Sequence, residues 1–329
     1  MSSPLRQRAE QVAGLLPEPL LERARLAEAR RLESRLRRSA AIRGAAVVWH
    51  AVAPAAGGDP RLQIDPPLPA QRLDAIAGYL ARRYTLVHAA DLPAAARSRR
   101  TGERVPLAIT FDDDLASHRD HAAPVLRRHG AVATAFLCGA GEPFWWQLLQ
   151  LAIDERAIEA RSLDGVEPQL VAEALERRPR AIRRLAKAIE DLPAPRREHV
   201  TSALARAVPT GRPRLLGDDG AQELARAGWE IGFHTRRHDL LTALSDDELR
   251  AALERTGGAR TIAYPHGKAA AREAAAARAA GYVAGYTGRD EAFTERSDDH
   301  LIGRLQPDSA TVGRFALQLA RALLLPAVS

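Results

Sequence analysis

Three carboxylates in a row, Asp112, Asp113 and Asp114, follow the apolar run 107–111 in PLAITFDDDLASH. Like charges so close repel one another, and a metal ion or a proton makes such a cluster tolerable. Two other polar groups occupy similar positions. His234 follows the apolar WEIGF, with His238 four residues later in HTRRHD, and YPHG (264–267) follows RTIAY. One carboxylate and two imidazoles form a three-ligand metal set with a coordination position left for water or substrate. The histidine pair is not the zinc-protease helix motif, because Thr235 stands where that motif needs Glu. Adjacent aspartates suggest a division of labour, one holding the cation and the other taking a proton from the water that the cation acidifies.

Such groups need a scaffold that brings distant segments together. Eight apolar runs read as buried strands: GAAVVWHAV, YTLVHA, and residues 106–111, 132–138, 229–233, 260–264, 282–286 and 300–305. Helical patterns lie between them, at PAQRLDAIAGYLARR, about 117–129, 218–227, 269–280 and 310–325, with one opened by Ser245 and Glu248 at capping-box spacing. Continuous apolar strands alternating with helices predict a parallel sheet covered by helices, open or closed into a barrel. The candidate groups all leave the carboxyl ends of these strands, where ligand sites of parallel α/β folds collect.

Residues 143–215, beginning PFWWQLLQLAIDE, lack strand-like runs and read as a helical insertion that shapes the substrate site. Phe144, Trp145 and Trp146 read as anchors of that insertion, stacking on a sugar being the other reading. Residues 1–43 hold ten arginines against five glutamates and read as a basic helical arm before a main unit at 44–329. A basic arm can contact an anionic membrane face peripherally. Aromatics are not interleaved with its arginines, so no nucleic-acid partner is expected. At 46% hydrophobic and 27% charged residues the composition is that of a globular protein. The single cysteine, Cys138, fits a reducing compartment, and neither a membrane span nor a leader's apolar core is legible; the expected location is the cytoplasm.

TFDDD, HTRRHD and YPHG, in this order and on these strand ends, resemble the polysaccharide deacetylase family, carbohydrate esterase family 4. VVWHAV is similar to the first strand of one of its branches. The resemblance covers about residues 45–305. It implies a distorted (β/α) barrel of about seven parallel strands, with Asp112 as general base and Asp113, His234 and His238 as ligands of a divalent ion, Zn2+ being the one expected. It also implies that the backbone N–H of His266 helps hold the oxyanion. The implied reaction removes an N-acetyl group from a sugar or polysaccharide, the metal-bound water attacking the amide carbonyl. Two alternatives keep the barrel: hydrolysis of a non-sugar amide, or a catalytically silent glycan-binding module.

The chain departs from the family pattern in three places. Asp114 stands where Gly is usual, and a left-handed backbone is expected to survive there because Asp tolerates it. The arginine that usually precedes the Pro-x-Gly turn is missing, Ala263 and Tyr264 occupying the region, and Arg304 at the end of a late strand is its candidate substitute. The late Leu-x-His motif that supplies the general acid has no clean match. His300 lies at the wrong end of its strand, whereas His50, ending the first strand, and His266 are better placed. His88, His118, His121, His129, His199 and Cys138 read as structural.

Overall fold

The computed structural model describes residues 17–55, 59–208, 214–255 and 257–325. The strands, in chain order, are β1 (Arg43–Trp49), β2 (Val52–Ala53), β3 (Leu68–Pro69), β4 (Thr85–Val87), β5 (Pro106–Asp112), β6 (Thr134–Leu137), β7 (Glu230–Phe233), β8 (Thr261–Ala263), β9 (Ala284–Tyr286) and β10 (Phe293–Thr294). Seven of them, β1 and β4 to β9, run parallel in one curled sheet. β5 is paired along both edges, with Ala45 to Trp49 of β1 beside Leu107 to Phe111 along one of them. On the other edge β4 covers its first residues and β6 its last. The short β10 adds antiparallel to the start of β1. The architecture is the distorted (β/α) barrel expected from the motifs.

Why these residues form this sheet is plain from β5, whose seven residues are all buried. A strand buried along its whole length suits a sheet with both faces covered, and each large apolar side chain removed from water contributes about 1.5–3 kcal/mol. Thr110 and Glu230, polar groups among the strands, are paired. Thr110 Oγ1 donates to Val47 O, and Glu230 accepts from Ala90 N, Thr134 Oγ1 and Thr261 Oγ1 at 2.8–3.0 Å. The narrow interior also requires Gly232, since a Cβ there would stand 2.5 Å from Phe136 and 2.8 Å from Thr261 Oγ1.

Residues 300–305 do not form the eighth parallel strand that HLIGRL suggests. They make two single-residue bridges, Ile302 to Tyr286 of β9 and Leu305 to Val47 of β1. The segment therefore spans the gap between the last strand and the first, and it cannot lie along either for more than a residue. Gly303 permits the crossing, because a Cβ would meet Glu291 Cγ at 2.4 Å. The helix expected at 117–129 likewise opens with a wide π-helical turn, His118–Ala122, before the α-helix Ala123–Arg128.

Helices Trp145–Asp154, Pro168–Leu175, Pro179–Glu190 and Ala194–Ala207 follow β6. They bury an apolar cluster of their own, including Leu149, Ile153, Val171, Ile182, Leu185 and Leu204. The N-terminal helix Glu18–Arg38 packs against the last one, Val312–Leu324. Glu22 Oε1 accepts from Gly313 N at 2.6 Å, and the buried Glu33 accepts from Tyr79, Tyr84 and Arg83. The part of the arm before residue 17 lies outside the described residues. Among the described residues no helix is long and apolar enough to cross a membrane.

Candidate active site

Asp112 is the last residue of β5, and at Asp113 the backbone turns left-handed, with φ 72°. A strand alternates its side chains between faces, so two consecutive residues would ordinarily point apart. The turn brings both carboxylates into one cleft of about 500 Å³ at the strand ends. The left-handed residue is thus Asp113, whereas the sequence predicted Asp114. Asp114 serves the scaffold: its carboxylate accepts from Cys138 N at 2.8 Å and Ala140 N at 3.0 Å, and its carbonyl accepts from Leu216 N. The charge of the third carboxylate is thereby spent on tying β5 to the loop after β6.

His234 follows β7, and its Nδ1 lies 2.8 Å from Ala263 O. A carbonyl can only accept, so Nδ1 carries the proton and Nε2 keeps its lone pair. That Nε2 is 3.7 Å from Asp113 Oδ1 and 3.8 Å from Asp112 Oδ2. The chain returns His238 to the same point through positive φ at Thr235 and at His238 itself, placing His238 Nε2 3.8 Å from Asp113 Oδ1. One donor atom from each of Asp113, His234 and His238 lies within 4.8 Å of the others. Burial holds both imidazoles below their ordinary pKa, hence neutral and able to donate electron pairs.

The donor set fits a divalent cation. Asp113 Oδ1 is buried with no hydrogen-bond partner, an arrangement that is costly without a cation nearby. Burial raises the Asp113 carboxyl to about 7, with Asp112, Asp65 and Asp114 adding repulsion that His50 offsets in part. Two ligands about 2.1 Å from a tetrahedral ion stand about 3.4 Å apart; the two edges to Asp113 are 3.7 and 3.8 Å, and all three donor atoms lie within 4.8 Å of one another.

Asp112 has the opposite environment. Arg304 grips it with a fork, Nη1 to Oδ1 at 2.5 Å and Nη2 to Oδ2 at 2.7 Å, and both residues are buried. Burial alone would raise this carboxyl, but the charge and hydrogen bonds of Arg304 outweigh it and hold it well below the usual range. Arg304 is itself fixed by donating Nε–H to Thr287 O at 3.2 Å and by lying over Phe136. Adjacent carboxylates with pKa values pushed apart are suited to different roles.

His50, at the end of β1, lines the same cleft. Burial disfavours its charged form, yet Asp65, Asp113 and Asp112 raise its pKa overall. His118 donates Nε2–H to His50 O at 3.2 Å and supports that strand end; burial lowers the His118 pKa to about 4. His266 sits in the Pro-x-Gly turn with φ 57°. The turn is closed by Gly267 N donating to Tyr264 O and Lys268 N to Pro265 O, which leaves the His266 amide outside those bonds. Gly267 is required there, since a Cβ would stand 2.6 Å from Gly288 N.

The structure therefore gathers Asp112, Asp113, His234, His238, His50, His266 and Arg304 around one cleft. His300 lies elsewhere, its Nε2 2.8 Å from Tyr282 O. His88 and His129 bond to Gly228 O and Asp74. Asp65, Arg183, Lys187 and Glu190 also line the cleft. No motif marks them, because they arrive from the loop before β3 and from the insertion. Of the three aromatics, Phe144 is buried, whereas Trp145 and Trp146 are half-buried on the cleft wall; Phe144 and Trp146 stack at 4.4 Å and rest against the His238 ring.

A family model described as polysaccharide deacetylase matches residues 99–285, more than half of the chain. The chain belongs to the polysaccharide deacetylase family. Among solved structures it is similar to the Streptococcus pyogenes deacetylase PplD in complex with acetate, at 12% identity and TM-score 0.56, covering 87% of this chain and all of that one. It is also similar to a polysaccharide deacetylase from Bacillus cereus, at 16% identity and TM-score 0.51, over 84% of this chain and 69% of that one. A de-N-acetylase from Aggregatibacter actinomycetemcomitans aligns at 15% identity and TM-score 0.50, over 82% and 96%. These likenesses establish the shared fold. Comparison with curated protein sequences found no match.

Proposed function

We propose that this chain is a metal-dependent hydrolase that removes N-acetyl groups from a sugar or polysaccharide, refining the deacetylase activity that its family supports. The observation that carries the reading is the pairing of two unlike sites: Asp112 forked by Arg304, beside the unsatisfied Asp113 with its two neutral imidazoles. Asp113, His234 and His238 would hold the ion, and one carboxylate with two imidazoles suits zinc. When bound, such a cation supplies Lewis acidity and lowers the pKa of a coordinated water from about 16 toward 7.

The chain's own residues supply the rest. Asp112, held ionised and aimed by Arg304, takes the proton of the attacking water; the same grip makes it a weak base, so it suits a water already acidified. The His266 amide faces the carbonyl oxygen as charge builds on it. The carbon–nitrogen bond then breaks, and His50 or His266 gives a proton to the departing amine while acetate forms. A pure binding module would need neither an aimed base nor a ligand set, which disfavours the silent-barrel alternative.

The same reading keeps the protein in the cytoplasm, with peripheral contact to an anionic membrane face through the arginines of the N-terminal helix. Arg30, Arg37, Arg38 and Arg83 line a hollow that supports this contact. Sedimentation with anionic vesicles should carry the protein down at low salt; protein left in the supernatant would dismiss the contact.

The deciding experiment for function pairs metal analysis with acetate release from N-acetylglucosamine oligomers. The expected result is about one divalent ion per chain and acetate production. Metal bound without acetate release from a broad panel of N-acetylated sugars would contradict the reading.

A further inference from the structure

The helical insertion reaches the site at three points. Phe144 and Trp146 rest on the His238 ring, at centroid distances of 5.4 and 5.0 Å. Gln150 accepts from Ile64 N at 2.8 Å and donates to Leu62 O at 3.3 Å, securing the segment that carries Asp65. At the end of helix Pro179–Glu190, Glu190 Oε1 lies 3.1 Å from His266 Nδ1.

The third contact has the clearest chemical consequence. His266 holds a left-handed backbone that is strained for a non-glycine residue, so its surroundings must hold it there. On one side its ring meets His238 edge-on at 4.7 Å, and on the other it meets Glu190. Glu190 is presented by a helix whose Ile182, Leu185 and Ile189 are fully buried in the insertion's own core, which makes it a fixed support. Lys187 Nζ at 3.9 Å and Arg197, which donates to Glu190 O, hold the helix end in place.

We propose that Glu190 is a positioning residue for the oxyanion donor: it fixes the His266 imidazole and thereby the backbone N–H of the same residue. The insertion is then part of the catalytic apparatus as well as a wall of the cleft. This inference rests on the reading of the His266 amide given above.

The test compares Glu190→Ala, Glu190→Gln and the insertion-surface control Glu176→Ala in the full chain. Acetate release from N-acetylglucosamine oligomers gives kcat and KM, metal analysis gives occupancy, and side-chain NMR follows the His266 ring. Glu190→Ala should lower kcat by about 10- to 100-fold, the scale on which a misplaced group acts. KM and metal content should stay within about twofold, Glu190→Gln should recover most of the rate, and Glu176→Ala should match the parent. The His266 ring resonances should shift in Glu190→Ala. Unchanged kcat in Glu190→Ala, or unshifted His266 resonances, would overturn the proposal, as would a loss that Gln fails to recover. Absence of acetate release from the parent chain would instead remove the functional reading, and the ring resonances would still test the contact.

Discussion

Arg304 and Asp112, 192 residues apart in sequence, meet in a buried two-pronged contact at 2.5 and 2.7 Å. The contact decides the protonation state of the strand-end carboxylate and its direction at once. Replacing Arg304 by Lys keeps the charge and loses the fork, because an ammonium is a single point donor. The Asp112 pKa then rises, so the acid limb of the kcat/KM profile should move to higher pH, with kcat down on the order of 10-fold or more. Arg304→Met should be harsher, costing about 3–5 kcal/mol of stability because a buried carboxylate loses its partner. A pH–rate profile and a thermal melt check both.

Metal binding should depend on pH with a definite sign. In the metal-free protein the Asp113 carboxyl is raised from 3.8 to about 7, so the folded state holds a proton that the unfolded chain has released. Through this group alone, stability of the metal-free protein falls as pH rises between those values. Bound cation replaces that proton, so zinc should raise the melting temperature more at pH 7.5 than at pH 5. At a hundredfold excess over Kd the gain is about 2.7 kcal/mol. Equal shifts at the two pH values would count against Asp113 as a ligand.

Asp114 should behave differently from its neighbours. Asp114→Ala strips the acceptors from the buried Cys138 amide and the half-buried Ala140 amide, costing about 1–3 kcal/mol for the buried one left unpaired. The melting temperature should fall while metal content persists. Loss of metal with an unchanged melt would reverse the assignment.

Gly232→Ala tests how the scaffold positions His234. The new methyl would press on Phe136 and Thr261 from within the barrel, costing about 1–3 kcal/mol and shifting β7. Reduced metal affinity should accompany the lower melting temperature, both read by zinc titration and thermal melt.

Much of this site was legible before any coordinates, because apolar runs mark strands and their polar exits mark the ligand end. Asp112, Asp113, His234 and His238 follow from that logic and from the motifs. Arg304 was reachable only as the replacement for an arginine missing beside Ala263. The sequence points to Asp114 as the left-handed residue because three consecutive aspartates share one local preference, and tertiary contacts to Asp114 decide that Asp113 turns instead. HLIGRL reads as a strand since its apolar pattern is the same; its single-residue bridges to β9 and β1 depend on barrel closure. Asp65 and Glu190 carry no local signal, because their placement exists only once the loop and the insertion have docked.

Asp112→Asn separates the base from the ion. The amide keeps the shape and removes the negative charge, so acetate release should fall about 10²-fold or more while metal stays bound. His234→Ala should lose the metal, and acetate release with it.

The most direct measurement is anomalous diffraction from crystals of the full chain soaked in zinc. One strong peak should lie within bonding distance of Asp113 and of the Nε2 atoms of His234 and His238. A peak seated elsewhere, or none among these three side chains, would contradict the account.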